Sequence, residues 1–583
     1  MAARNSTAGT DPQEMDSFES MPAFLRYWAQ KTPNTAAFIF RAPNSDKRHV
    51  LTYSDLYRLA GRWASVLHDK GLGRGDFVVN ALPNSPERAV VECSILLSGA
   101  TSVNGMCQLR DASDLLSTLR QSRAAALVLD PDVMGATWSS LSAYLTGPED
   151  GSGAVTSDEL PSLKFVFLVR RSGPKYCRCR DSAPGKVNTH KECAPSCSNS
   201  KPLDEADFLT SLQTSSHLGH FHAENITGQD LCSVFTTSGT TGFSKLVPFC
   251  HKALTAFSKS TNSKATTEFC CSPLGWMGGY PAHIFSIGST RVLLDAREGQ
   301  PEDMDAFIYD SIVQEKAKDG VIPFTHLQGV AERVVHSHSG EPILENVILA
   351  TQPVTKDILE TAVKIARNAI VCYGSTETNI VSLAAFDNQQ TYEDFLSGPV
   401  LPHASVKIRN ESGADLDACE RGEIVVKSPL VLAGYVNDPD VTSAAFTDDG
   451  YFRTGDVGWL DSQGRLFVEG RGSDAIMRGS YIFYPGWMEA RIRAGPGVSD
   501  VMVVGVPDPV LNQELCACVV LNSPDASVDD VRAFVEDDVT GDDSLSPRPR
   551  HYVTFDRFPV TATGKPMRKE AARIATERIC SLR

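Results

Sequence analysis

Phosphate-handling chemistry is written most densely in one run, Phe235-Thr236-Thr237-Ser238-Gly239-Thr240-Thr241-Gly242-Phe243-Ser244-Lys245. Two glycines and six hydroxyl residues cannot compete as helix or buried strand, so the run is expected to be a loop. The apolar segment Leu231-Cys232-Ser233-Val234-Phe235 before it reads as the strand that delivers it. Glycines let the backbone approach an anion closely, hydroxyls and free N–H groups supply donors, and Lys245 adds a positive charge. The spacing is not the GxxxxGK[ST] of a P-loop. On this stretch alone a solvated Ser/Thr/Gly linker would read the same way; the motifs downstream decide against it.

The run resembles the TSGTTGxPK signature of the adenylate-forming superfamily, which includes acyl-CoA ligases, luciferases and peptide-synthetase adenylation domains. Ser244 stands where that pattern has proline. The resemblance implies that Thr237, Ser238, Gly239, Thr240, Thr241, Gly242 and Lys245 contact ATP. It continues through Tyr373-Gly374-Ser375-Thr376-Glu377-Thr378, similar to the family's YGxTE motif. There Tyr373 offers a flat face for a purine, Gly374 leaves room for a substrate carboxylate, Ser375 belongs to the nucleotide contacts, Thr376 donates to phosphate, and Glu377 is a hard oxygen ligand for Mg²⁺. Gly450-Tyr451-Phe452-Arg453-Thr454-Gly455-Asp456 matches YxTGD, which implies that Asp456 accepts from both ribose hydroxyls. Arg471 comes next as the second ribose or phosphate contact.

Three further matches complete the series. Cys271-Ser272-Pro273-Leu274-Gly275-Trp276-Met277-Gly278-Gly279 is similar to PLFHxxG and makes Trp276 and Gly279 candidates for the acyl side. The run Asp474 to Pro485, ending at Glu489, resembles DxIxRGGxxxYP, with Ser473 at the hinge position and Ser480 replacing a glycine beside the pantetheine tunnel. Pro559-Val560-Thr561-Ala562-Thr563-Gly564-Lys565 resembles PxTxxGK and implies that Lys565, with Thr376 and Glu377, is catalytic. Thr351-Gln352-Pro353 departs from the family's small Gly-Ala-Pro turn beside the adenine. The match extends over roughly residues 20–575, is nearest to the medium-chain acyl-CoA ligases, and implies ATP, Mg²⁺ and coenzyme A as cofactors. The expected activity is activation of a carboxylic, fatty-type acid as acyl-adenylate and transfer to the coenzyme A thiol. A carrier-protein thiol or an amine as acceptor, or a non-catalytic nucleotide-binding relative, are the alternatives.

These residues need a scaffold that brings distant loops together. Short β-branched or aromatic runs, Phe77-Val78-Val79-Asn80, Ala124 to Leu129 and Lys164 to Val169, alternate with helix-length segments. Asn346 to Ala350 and Ala369 to Tyr373 read as two more buried strands. Strand alternating with helix implies α/β architecture with parallel sheets. The fold expected is a large N-terminal multi-layer α/β domain with a small mobile C-terminal α/β lid. Its boundaries are a disordered 1–20, an AMP- and acyl-binding 21–472, and a lid over 473–583. At 583 residues, more than one core is expected. A net charge of −16 argues against a nucleic-acid partner, whose phosphates need a basic footprint. A small-molecule acid and coenzyme A are the partners expected. No apolar run approaches 18 residues, so no integral membrane segment is expected. The first 16 residues lack the pattern of a signal or transit peptide, which makes the cytoplasm the expected compartment and the mitochondrion the alternative. Within a loop insertion at 170–201, Cys177, Cys179, Cys193 and Cys197 with His190 fit either a zinc knuckle or exposed free thiols.

Overall fold

The computed structural model describes residues 18–105, 112–147, 153–169, 209, 212–213, 219–237, 244–260, 264–337, 340–478, 481–483, 485–508, 511–537, 548–561 and 566–581. These form two compact units, Met1–Ala317 with Leu432–Pro439, and Lys318–Val431 with Asp440–Arg583. The cysteine-containing insertion lies outside the described residues, and so does the zinc question attached to it.

In the first unit a six-stranded sheet runs in the order Phe165–Leu168, Ala126–Leu129, Phe77–Asn80, Thr101–Asn104, Leu231–Thr237, Lys245–Cys250. The first five strands are parallel, as the alternation of strand and helix implies. The sheet's central strands Phe77–Asn80 and Thr101–Asn104 are almost wholly buried, and their polar residues Asn80 and Ser102 are satisfied by hydrogen bonds to buried Glu92. Local signals explain the connections. Helix Pro86–Ser98 opens with the Ser85 hydroxyl accepting from the Arg88 N–H at 3.1 Å, has proline in its first turn, and ends at Gly99 with φ 79°. Helix Tyr53–Asp69 is capped by Thr52, whose hydroxyl oxygen accepts from Asp55 N–H at 3.0 Å. A second group of strands in this unit pairs Ala36–Arg41 with Arg48–Thr52 and, in parallel, with Thr290–Leu294, which continues to Thr267–Cys270.

The second unit carries Asp319–Val321, Leu344–Leu349 and Ala366–Ser375 in parallel, then turns back along Asn379–Phe386. The neighbouring strands of this unit pair the other way. Leu396–Pro399, Arg465–Arg471, Phe452–Leu460, Gly422–Lys427 and Ser405–Arg409 make an antiparallel five-stranded sheet around Val381, Ile408, Ile424, Val426, Leu466 and Val468. The connection between Phe452–Leu460 and Arg465–Arg471 is the tight turn Asp461 to Gly464, too short for the crossover helix that parallel neighbours require.

Residues beyond 475 build a third sheet, in which the long strand Asn512–Leu521 pairs with the long edge strand Val498–Asp508 on one side and takes His551–Thr554 in parallel on the other. Side-chain alternation divides the packing. Val501, Val503, Leu515 and Ala517 pack with Met488, Ile492, Val531 and Val535 from helices Pro485–Arg493 and Val528–Asp537. Met502, Val504, Cys516 and Cys518 face Ala571 and Ala575 of helix Arg568–Ser581 on the other side. Among the described residues no helix is long and apolar enough to cross a membrane.

Candidate active site

In the first unit, the strands that flank the Ser/Thr/Gly run pair as a hairpin with Thr237 opposite Lys245. The two ends of the run are therefore pinned one strand spacing apart. Ser238, Gly239, Thr240, Thr241 and Gly242 lie outside the described residues; Thr237, Ser244 and Lys245 are half-buried. The Lys245 ammonium sits 5.0 Å from the centroid of the Tyr435 ring, a contact that orients the charge without neutralising it. Ser244 donates twice to Asp114 on helix Ala112–Ser122, from N–H to Oδ1 at 3.3 Å and from Oγ to Oδ2 at 3.2 Å.

The expected acyl-side stretch is a tight turn. Trp276 N–H donates to Pro273 O at 3.0 Å and Gly279 N–H to Trp276 O at 2.9 Å. Trp276 is half-buried. Gly279 is buried, and a Cβ there would collide with Pro273 O; the turn itself therefore demands glycine at this position. A Cβ on Gly275 would strike the guanidinium of Arg88, which is itself buried and donates to Asn104 Oδ1 at 2.9 Å. Behind the turn, buried Glu92 accepts from Tyr280 Oη at 2.8 Å, Ser102 Oγ at 2.7 Å and Asn80 Nδ2 at 3.0 Å, while Ser233 Oγ donates to Tyr280 Oη at 2.6 Å. A buried carboxylate supplied with this many donors is a rigid strut. It ties the Pro273–Gly279 turn to the strand Leu231–Thr237 that leads into the Ser/Thr/Gly run.

In the second unit, Tyr373, Asp456 and Arg471 come together from three strands. Tyr373 Oη donates to Asp456 Oδ2 at 2.9 Å, and Arg471 Nε lies 3.1 Å from Asp456 Oδ1. Asp456 and Arg471 are direct partners across their antiparallel strands. Gly455 at φ 69° and Gly470 at φ 137° allow the backbone bends beside them. Thr454 fixes the Asp456 turn: its hydroxyl accepts from Asp456 N–H at 3.0 Å and donates to Ile424 O at 2.6 Å, and its carbonyl accepts from Arg471 Nη1 at 2.6 Å. Burial, then the charge of Asp456, pushes the Tyr373 phenol well above its usual range, so it stays a neutral donor. Burial works against the charge of Arg471, but Asp456, Tyr373, Glu377 and Asp474 outweigh it and raise its pKa. Glu377 thus belongs to the same electrostatic cluster.

Gly374 follows a bulge in its strand, and a Cβ there would collide with the Asn379 carbonyl. Ser375 and Thr378 close the turn reciprocally: Ser375 N–H donates to Thr378 Oγ1 at 2.9 Å and Thr378 N–H to Ser375 Oγ at 3.2 Å. This geometry holds Thr376 and Glu377 at the tip, both half-buried. Thr351, the departure from the small Gly-Ala-Pro turn, takes φ 85°, a conformation that a β-branched residue rarely adopts. Among the described residues no three His, Cys, Asp or Glu side chains are arranged to hold a metal. One carboxylate such as Glu377 fits Mg²⁺ that takes its remaining ligands from phosphates and water.

Lys565 and Ser480 lie outside the described residues. Arg568, at the start of helix Arg568–Ser581, donates from Nε to Asp474 Oδ2 at 3.2 Å, from Nη2 to Glu489 Oε2 at 3.2 Å and from Nη1 to Glu489 Oε1 and Val503 O. Ser473, in the turn Gly472–Asp474, is exposed. Asp114, Glu92, Tyr280 and Arg568 escaped motif reading. Only Glu92 carried a signal, a charge inside the apolar run Val90-Val91-Glu92-Cys93.

Family comparison agrees with this geometry. Residues 25–436 match the model of the AMP-binding enzyme family, and residues 488–565 match the AMP-binding enzyme C-terminal domain. The chain is 25% identical over 571 residues to the medium-chain acyl-CoA ligase ACSF2, mitochondrial, of Macaca fascicularis, covering 93% of this chain and 84% of that one. It is also 25% identical to 4-coumarate–CoA ligase-like 1 of Arabidopsis thaliana, over 94% and 93% of the two chains. The fold matches the anthranilate CoA ligase AuaEII in complex with anthranoyl-AMP at a TM-score of 0.74 and 18% identity, covering 98% and 100%. The chain belongs to the AMP-binding enzyme family, the adenylate-forming superfamily.

Proposed function

We propose that this protein is an AMP-forming acid–thiol ligase that activates a carboxylic acid of the fatty type with ATP and passes the acyl group to coenzyme A. The observation that carries the reading is the Tyr373–Asp456–Arg471 cluster with Glu377 in its field. It joins a ring face, a carboxylate, a cation and a metal-binding acid, as a ribonucleoside triphosphate requires. In the first step a carboxylate oxygen of the acid attacks the α-phosphorus of ATP and expels pyrophosphate. Two anions must meet, so the barrier is chiefly electrostatic repulsion and alignment. Lys565 would bridge both anions, Glu377 would hold Mg²⁺ on the phosphates, Thr376 would donate to phosphate, and the 237–245 loop would receive the leaving pyrophosphate. Asp456 would take the ribose hydroxyls. In the second step the coenzyme A thiolate attacks the acyl carbon and expels AMP.

The two steps need different surroundings for one acyl group. A lid over residues 473–583, hinged at Ser473, would swing Lys565 away and open the thiol path past Ser480. The proposed compartment is the cytoplasm, with the mitochondrion as the alternative raised by the name of the macaque relative. Pyrophosphate release across a panel of straight-chain and aromatic carboxylic acids, with and without coenzyme A, tests the reading. Release that depends on a fatty acid, with thioester formed only when coenzyme A is present, is expected. Release with coenzyme A absent from every product would move the acceptor to a carrier thiol or an amine.

A further inference from the structure

We infer that Asp114 is a positioning residue for the phosphate loop, doing through its carboxylate what a proline at position 244 would do through its ring. The inference rests on the loop's pyrophosphate-binding role proposed above. Where the family pattern has proline, the backbone φ is fixed and no N–H is present. Serine at 244 restores both the rotational freedom and the donor. Both are taken up by Asp114: Oδ1 accepts the Ser244 N–H at 3.3 Å and Oδ2 accepts the Ser244 hydroxyl at 3.2 Å.

The helix that carries Asp114 grips the loop exit a second time. Gln121 Nε2, near its other end, donates to Val436 O at 3.1 Å, and Val436 N–H donates to Leu246 O at 3.0 Å. Tyr435, next in sequence to Val436, lies beneath the Lys245 ammonium. Residues 244, 245 and 246 are therefore each held from the Ala112–Ser122 helix or from the 435–436 segment that it braces. Lys245 is the loop's cation, and its backbone starts one peptide after the clamped Ser244. Loss of the clamp loosens the point from which the cation is aimed.

Electrostatics alone makes the opposite forecast, which gives the test its sign. A carboxylate beside an anion-binding loop repels the anion, so deleting its charge would strengthen pyrophosphate binding. A positioning role makes deletion weaken it. Binding of inorganic pyrophosphate with Mg²⁺ is measured by titration calorimetry on the full chain as wild type, Asp114→Ala, Asp114→Asn and the double variant Asp114→Ala/Ser244→Pro, with the thermal midpoint of each. Asp114→Ala is expected to bind about tenfold more weakly, the scale of losing hydrogen bonds to a charged acceptor. Asp114→Asn, which keeps an acceptor for the N–H, is expected to remain within about threefold of wild type. The double variant is expected to recover most of the loss, because proline removes the orphaned donor and fixes φ. Unchanged or tighter binding in Asp114→Ala, or a double variant as weak as the single one, would overturn the inference. Should Asp114→Ala not fold, Ser244→Pro alone decides: affinity within about threefold of wild type supports exchange of one restraint for the other, and a tenfold loss contradicts it. Wild-type protein that binds no pyrophosphate would remove the loop's proposed role, and the inference with it.

Discussion

The phenol of Tyr373 donates a hydrogen bond to Oδ2 of Asp456 at 2.9 Å across 83 residues of sequence. With Arg471 on Oδ1 at 3.1 Å, this bond fixes the plane of the carboxylate before any ligand arrives. Each carboxylate oxygen has two lone pairs, so a fixed Asp456 can still accept from vicinal hydroxyls. Asp456→Ala is expected to weaken ATP binding about ten- to a hundredfold, the scale of hydrogen bonds to a charged group. Tyr373→Phe is expected to weaken it less, because it loosens the carboxylate without removing it. Calorimetric titration with ATP measures both, and unchanged binding in Asp456→Ala would refute the ribose assignment.

Gly374 has no room for a side chain, since a Cβ would strike the Asn379 carbonyl across the bulged hairpin. Gly374→Ala must push the two strands apart beneath Thr376 and Glu377. A destabilisation of about 1–3 kcal/mol is expected in denaturant unfolding, as for other overpacked sites, together with a larger loss of adenylation than the stability change explains. A variant as stable and active as wild type would show that the hairpin yields easily.

His251 gives the fold a pH dependence of predictable sign. Its Nδ1 accepts the Met21 N–H at 3.2 Å, and burial lowers its pKa from 6.5 to about 4, with Asp230 pulling weakly the other way. The unfolded chain therefore binds a proton that the folded chain refuses. The stabilisation is complete above pH 6.5 and is lost as pH falls toward 4, by up to about 3 kcal/mol. Unfolding free energies between pH 4.5 and 7 should rise with pH, and the rise should shrink in His251→Asn. An identical slope in the variant would assign the effect to other groups.

Lys565 should matter for one half-reaction and not the other. A positioned cation facing developing charge contributes about 3–4 kcal/mol, roughly a hundred- to a thousandfold in rate. Lys565→Ala is expected to lose that much in adenylate formation while converting supplied acyl-adenylate to thioester at close to the wild-type rate. Equal losses in both steps would rule out the assigned role.

Motif residues were legible as candidates because their chemistry demands particular types at particular spacings; in the structure Ser375 and Thr378 close the turn that ends strand Ala366–Ser375, and Asp456 lies opposite Arg471. Strand and helix alternation correctly indicated the parallel sheet whose strand Leu231–Thr237 leads into the Ser/Thr/Gly run. The antiparallel sheet of residues 396–471 was not legible, because its pairing is set by long-range packing around Ile424 and Leu466. Asp114 could not be read either. Its partner lies 130 residues away, and an acid in the first turn of a helix is ordinary. Nor did Gly279 announce that its role in the turn is steric, since a glycine beside a pocket and a glycine inside a turn look alike in sequence.

The most direct test of acyl-adenylate chemistry tracks an oxygen atom. The acid substrate is prepared with both carboxylate oxygens as oxygen-18, turned over with ATP, Mg²⁺ and coenzyme A, and the nucleotide product is weighed by mass spectrometry. If the carboxylate attacks the α-phosphorus and the thiol then displaces AMP from the acyl carbon, one labelled oxygen must end in AMP, and the thioester must retain the other. Unlabelled AMP, or ADP as the nucleotide product, would contradict the proposed reaction at its first bond.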